Sequence, residues 1–124
     1  MYQFEDIIRD KGSKYAVSGA PVVDRDDAKA FLRKLKQDKS YRKATHNSWA
    51  VLLRSGRGDL VQVKNDDGEG GAGNVILRNL MREGLEYHII VVTRWYGGVK
   101  LGGDRFRHVQ RSVRYYLDHW KQIE

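Results

Sequence analysis

The feature that most constrains this chain is the run Tyr87-His88-Ile89-Ile90-Val91-Val92-Thr93. Seven residues, five of them β-branched in unbroken succession, read as a strand buried on both faces and therefore central to a sheet. The rest of the chain has to supply neighbouring strands and covering helices. With 124 residues it fits one domain, residues 1–124, with the ends at 1–12 and 121–124 expected to fray.

Lys14-Tyr15-Ala16-Val17-Ser18 alternates weakly and stops at Pro21, which makes a first strand. Asp24, with Asp27 three residues on, suits a helix N-cap, and Ala28, Phe31, Leu32 and Leu35 then form one apolar stripe. Trp49 to Leu53 and Leu60 to Val63 are two strands joined by the turn Ser55-Gly56-Arg57-Gly58-Asp59. Asn74 can cap a helix with Ile76, Leu77, Leu80 and Met81 on its apolar face, ending near Gly84. Asp104 can cap a last helix with Phe106, Val109, Val113, Tyr116, Leu117 and Trp120 in its core stripe. The order β-α-β-β-α-β-α predicts an α/β (α+β) two-layer sandwich: a four-stranded mixed sheet with helices mainly on one face.

Cysteine is absent, which excludes disulfides, thiolate metal sites and a cysteine nucleophile. The N-terminus carries acids where a signal peptide would carry bases, and the longest strongly apolar stretch, Ile89 to Val92, is far too short to span a membrane. A cytoplasmic protein with no membrane partner is expected. The formal charge is +7, and it is clustered. Phe31–Lys43 and Arg94–Arg114 each hold six bases and one acid, +5 apiece, so the remainder sums to −3. Such clustering favours an acidic partner: RNA, DNA or an acidic protein surface.

Two glycine loops invite chemical readings. Gly68, Gly70 and Gly73 satisfy a dinucleotide fingerprint, but Asp66, Asp67 and Glu69 would repel a pyrophosphate and the loop is too long for the tight turn required. Gly97 to Gly102 has P-loop spacing, but Gly103-Asp104 stands where Lys-Ser/Thr should, so a structural turn is the better reading. On the last helix Arg107, Arg111 and Arg114 align as a stripe that is either a binding surface or a solvated face. Arg94, Trp95, Tyr96 and Lys100 precede it and can either add guanidinium and stacking contacts or, for the aromatics, lie in the core. No Ser-His-Asp set or metal-ligand spacing can be made from His46, His88, His108 and His119. No catalytic residue, cofactor or metal is expected.

Three stretches together resemble the Impact family: Ala44 to Ala50 with Thr45-His46-Asn47; Asp66-Asp67-Gly68-Glu69 with Ala72-Gly73; and Val91 to His108, which contains Arg94-Trp95-Tyr96-Gly97-Gly98-Val99-Lys100-Leu101-Gly102-Gly103-Asp104-Arg105-Phe106-Arg107-His108. The ending Gly-Asp-Arg-Phe-Arg-His looks like the eukaryotic branch. The resemblance covers about Ser13 to Leu117 and implies a fold similar to domain IV of the translocation elongation factor. It also implies a role in damping amino-acid-starvation kinase signalling, through a ribosome-associated kinase activator and actin, and a core domain that binds nucleic acid. The N-terminal RWD domain of eukaryotic members has no counterpart in this sequence.

The expected function is therefore a non-enzymatic, translation-linked binding module. Its basic surface is Arg94, Lys100, Arg105, Arg107, Arg111 and Arg114, and its family-motif loops carry His46, Asp66, Asp67, Glu69, Gly97, Gly98, Gly102 and Gly103. RNA or the ribosome competes with an acidic protein as partner. The alternative is a small-molecule enzyme using His46 with Asp66, Asp67 and Glu69, which gains weight if those residues line one pocket and falls if His46 is buried among apolar side chains.

Overall fold

The computed structural model describes residues 1–122. Five strands, β1 (Tyr2–Asp10), β2 (Ser13–Pro21), β3 (His46–Arg54), β4 (Leu60–Asn65) and β5 (His88–Trp95), form one sheet in the order β1-β2-β5-β3-β4. Helices α1 (Arg25–Leu35), α2 (Lys39–Arg42), α3 (Ala72–Glu83) and α4 (Asp104–His119) cover it, and a 3₁₀ turn, Trp120–Gln122, closes the described chain. Residues 123 and 124, part of the tail expected to fray, lie outside the described residues.

The unbroken apolar run is indeed the central strand. β5 pairs with β2 on one side and β3 on the other, and every residue from His88 to Arg94 is buried. Alternation along the strands then divides the interior in two. Tyr15, Val17, Ala50, Leu52, Ile90 and Val92 face α3 and α4, while Ala16, Val51, Leu53, Ile89 and Val91 face α1 and α2. Fully burying an aliphatic or aromatic side chain contributes about 1.5–3 kcal/mol, so both faces need a cover.

Three expectations need correction. The sheet has five strands rather than four, because residues 2–10 pair antiparallel with β2 instead of fraying. That strand escapes the sequence pattern because its burial is only partial and its register breaks between Phe4 and Ile8, where Asp6 takes φ 53° and chelates Arg9 at 2.6 and 2.7 Å. The sheet is also antiparallel throughout rather than mixed, since each neighbouring pair runs in opposite directions. The two longest helices do share one face, but α1 and α2 cover the other.

Helix caps show where local sequence suffices. Asp24 caps α1 by accepting from the Asp27 amide at 2.7 Å, as its spacing predicts. Asn74 does not cap α3, nor does Asp104 cap α4. The N-caps are Gly71, at φ 87°, and Gly103, and neither has a side-chain cap. For α3 the Asp66 carboxylate substitutes from outside the helix, accepting from the amides of Gly71 at 3.0 Å and Gly73 at 2.7 Å. Those amides hold its carboxyl below the usual carboxylate range. Phe106, expected in the core stripe of α4, is instead 38% exposed, and His108 and Ser112 are buried in that helix.

Two close approaches exclude any side chain. A Cβ on Gly97 would fall 1.9 Å from the carbonyl carbon of Gly12, where the β1–β2 turn presses on the loop after β5. A Cβ on Gly19 would fall 2.4 Å from the ring and hydroxyl of Tyr116, which lies across β2. Tyr116 in turn places its hydroxyl 2.6 Å from Nε2 of His88, itself only 2% exposed.

These contacts generate two predictions. Gly97→Ala should destabilise the fold by on the order of 3 kcal/mol because backbone must separate, whereas Gly56→Ala, which meets nothing within 4 Å, should change the urea midpoint very little. Burial pulls the His88 imidazole down to about 4 from an ordinary value of 6.5. The unfolded chain takes up this proton near pH 6.5 and the folded chain only near pH 4. The stabilising effect of keeping the ring neutral is therefore complete above pH 6.5 and is lost as pH falls through that window. Urea titrations at pH 7 and pH 4.5 should show wild type losing about 2 kcal/mol more than His88→Gln. Equal losses would remove His88 from the acid response.

Candidate functional site

The site begins with strand register. His46, the first residue of β3, lies directly opposite Arg94 on β5, and Tyr15 of β2 lies opposite Arg94 on its other side. Residues paired across antiparallel strands project from the same face, so all three turn toward the α3–α4 layer at one end of the sheet. The loop between β4 and α3 then folds over that end. Its residues are fastened to β3: Asp67 Oδ2 accepts from the Asn47 amide at 2.7 Å, and the Asp66 carbonyl accepts from Ser48 Oγ at 2.7 Å. Nδ1 of His46 sits 2.8 Å from the Asp67 carbonyl. That oxygen can only accept, so Nδ1 carries a proton and the Nε2 edge is free to face the cleft.

Fastened in this way, the loop delivers Glu69 into the interior. It is 2% exposed, and Arg94, 6% exposed, meets it with Nη1 at 2.9 Å from one carboxylate oxygen and 3.2 Å from the other. The remaining donors of Arg94 reach Ser13 Oγ at 3.3 and 3.4 Å. Two further nitrogens approach the same carboxylate without bonding to it: His46 Nε2 at 3.7 Å and Arg105 Nη1 at 3.9 Å. Arg105 leans its guanidinium over Phe106 at 4.7 Å, and its Nε is buried with no partner among the described residues. Lys100 and Gly102 complete the rim of a cleft of about 640 Å³.

Tyr96 also lines this cleft, 47% exposed. Its backbone amide is fixed by Thr45 Oγ1 at 2.9 Å, and the Arg94 guanidinium lies 5.7 Å from its ring centre. The same tyrosine lines a second cleft of about 630 Å³ whose bases are Arg9, Lys11 and Lys14. Lys14 lies 4.8 Å over the ring of Trp95, whose Nε1 donates to the Ser40 carbonyl at 2.9 Å and so ties α2 to the end of β5. The two clefts therefore meet at one exposed aromatic ring, with cations on both sides.

Of the proposed basic surface, Lys100 and Arg105 line the first cleft, while Arg94 is not a surface cation at all but the inner partner of Glu69. Arg107 is exposed and pairs with Asp104 at 3.4 Å. Arg111 and Arg114 flank a separate hollow against β1, and Arg114 is held by Glu83 at 2.5 Å and Asp118 at 3.4 Å. The bases of the earlier segment, Arg33, Lys34, Lys36, Lys39, Arg42 and Lys43, are exposed on α1, α2 and their flanks, across the sheet from α4. Of the residues proposed for an enzyme, His46 and Glu69 do share the cleft, but Asp66 and Asp67 spend their carboxylates on backbone amides. Gly97 is required by the close approach to Gly12, and Gly98 and Gly102 take φ 93° and 58°, while Gly103 caps α4. Sequence reasoning missed Lys11, Lys14 and Ser13, because only the β1–β2 hairpin carries them to the end of β5.

The model of the Impact N-terminal domain family matches residues 11–117. A protein IMPACT homolog of Schizosaccharomyces pombe is 35% identical over 107 residues, 86% of this chain and 38% of that protein. Protein IMPACT of Rattus norvegicus is 37% identical over 108 residues, again 86% of this chain and 34% of that protein. The chain thus spans little more than a third of the length of these relatives. Among solved structures, one described only as a hypothetical protein superposes with a TM-score of 0.80 at 27% identity, covering 94% of this chain and 57% of its own. Yih1, a two-domain translational regulator, superposes with a TM-score of 0.58 at 34% identity, covering 88% of this chain and 43% of its own. With the family match spanning nearly the whole chain and these relatives agreeing with it, the protein belongs to the Impact family, whose members include translational regulators.

Proposed function

We propose that this domain is a non-enzymatic, translation-linked binding module, and that it contacts single-stranded RNA through the paired clefts that meet at Tyr96. The observation that carries the reading is an exposed tyrosine flanked by Lys100 and Arg105 on one side and Lys11 and Lys14 on the other. An aromatic face accepts any base by stacking, and cations on either side follow the phosphates, which is how sequence-tolerant single-strand binders are built. The likeness to a translational regulator supports the link to translation. The exposed bases of α4, Arg107 and Arg111, extend the positive field without joining the clefts. Asp10 also lines the second cleft, bonded to His108 at 2.8 Å, and offsets one of the three bases there.

Fluorescence anisotropy of a labelled single-stranded RNA tests this reading. Four phosphate contacts should weaken binding about fifty-fold between 50 and 200 mM salt. Tyr96→Ala should cost about tenfold, and Lys14→Glu combined with Lys100→Glu should abolish binding at the higher salt. Arg107→Glu with Arg111→Glu should cost much less. Binding that ignores both Tyr96 and the lysine pair would overturn the reading. An acidic protein, such as the kinase activator implied by the family resemblance, would then be the partner to test.

A further inference from the structure

The geometry points to the His46–Glu69–Arg105 cleft as a site for the 5′-phosphomonoester of a nucleotide, whether a free mononucleotide or the end of an RNA strand. The inference deepens the reading above and rests on it for the strand that follows the phosphate. Arg94 neutralises Glu69 internally through its 2.9 and 3.2 Å contacts, so the buried carboxylate no longer repels an anion. Two cations on the rim are then left over, Lys100 and Arg105. Lys100 has no ion-pair partner among the described residues, and Arg105 stands 3.9 Å from Glu69, beyond hydrogen-bond reach. The three permanent cations of the cleft against its one carboxylate leave an excess of two positive charges. A phosphomonoester dianion matches that excess, whereas a backbone phosphodiester, with one charge, leaves half of it uncompensated.

Donor geometry agrees with charge. The Nε of Arg105 is buried with no acceptor among the described residues, while its Nη1 side reaches toward the cleft at 3.9 Å from Glu69. Lys100 offers an ammonium to the same cleft. His46, held by the Asp67 carbonyl at 2.8 Å through Nδ1, lines the same space without supplying a donor from Nε2 in its neutral form. Tyr96 lies at the mouth toward the second cleft, where the base attached to a bound phosphate would stack. Gly68 keeps the floor low: a Cβ there would meet His46 Nδ1 at 3.1 Å, and its φ of +87° resists any other residue.

The test compares one RNA decamer carrying either a 5′-phosphate or a 5′-hydroxyl, with calorimetric titrations of adenosine 5′-monophosphate, adenosine and inorganic phosphate alongside. The 5′-phosphorylated decamer should bind about tenfold tighter, as expected for charge-assisted hydrogen bonds to an added dianion. Adenosine 5′-monophosphate should bind and adenosine should not. Arg105→Gln should bring the ratio of the two decamers to about one. Lys14→Gln should weaken both decamers and preserve the ratio, which separates the phosphate site from the groove. Circular dichroism and urea midpoints equal to wild type confirm that Arg105→Gln is folded; were it not, Lys100→Gln, on the exposed rim, gives the same readout. Equal affinity of wild type for both decamers overturns this inference and leaves the groove reading standing. Capture of the mononucleotide without either decamer overturns the groove reading and supports the site. No response to any of the five ligands overturns both. Inorganic phosphate binding as tightly as the mononucleotide would also overturn the inference, by reducing the site to a general anion trap.

Discussion

The end of the sheet is organised around one buried ion pair, Arg94 with Glu69. Burying either charge without the other would cost several kcal/mol of desolvation. Their contacts at 2.9 and 3.2 Å, with Ser13 taking the rest of the guanidinium, let them remain there together. A buried pair of this kind adds little net stability over an apolar equivalent, yet losing one partner leaves an unpaired charge. Its effect is therefore on arrangement. Glu69 can reach Arg94 only if the loop after β4 closes over β3, and Ser13 can reach it only if the β1–β2 hairpin lies against the end of β5. The contact of Gly12 with Gly97, which tolerates no Cβ, is the steric counterpart of the same closure.

This closure inverts the apparent charge of the site. In the sequence, Asp66, Asp67 and Glu69 form an acidic loop that would reject an anion. In the fold, Asp66 satisfies the amides that open α3, Asp67 holds the start of β3, and Glu69 is matched by Arg94. All three carboxylates are spent on the protein itself. What faces outward is Lys100 and Arg105, so a loop that reads as acidic becomes the wall of a basic cleft. The consumption of acids in internal bonds decides the sign of the surface, and composition alone has no access to that bookkeeping.

Legibility followed the range of the interactions. The α1 cap, the central strand and the apolar stripes depend on residues within one or two turns, and they could be read directly. The α3 cap could not, since its carboxylate comes from Asp66, before the glycines that separate it from the helix. Strand β1 was invisible because its half-exposed residues and its break at Asp6 remove the alternation that marks a strand. The one-face arrangement overlooked a consequence already present in the sequence: a strand apolar at every position needs cover on both sides, and α1 with Tyr41 supplies the second. Arg94 looked like its neighbours in a basic segment. Only the strand period distinguishes it, since it lies in phase with the inward Ile90 and Val92 while Trp95 falls on the other face.

The total charge of the chain is a poor guide to where it binds. The helices α1 and α4 of its two basic segments lie on opposite sides of the sheet, and at physiological salt a charge acts strongly only within about 8 Å. The bases on α1 and α2 can raise the rate at which an anion arrives, because steering depends on the whole field. Retention depends on contacts, and the end of β5 combines cations with an exposed aromatic ring whose backbone is bonded to Thr45 and which lies 5.7 Å from the Arg94 guanidinium. A mobile lysine surface exchanges one counterion for another at small gain. On the proposed reading, an aromatic ring between two cationic clefts favours a ligand that alternates charge with a flat apolar face over a simple anion. That difference, rather than the number of bases, separates the end of β5 from the equally basic helices across the sheet.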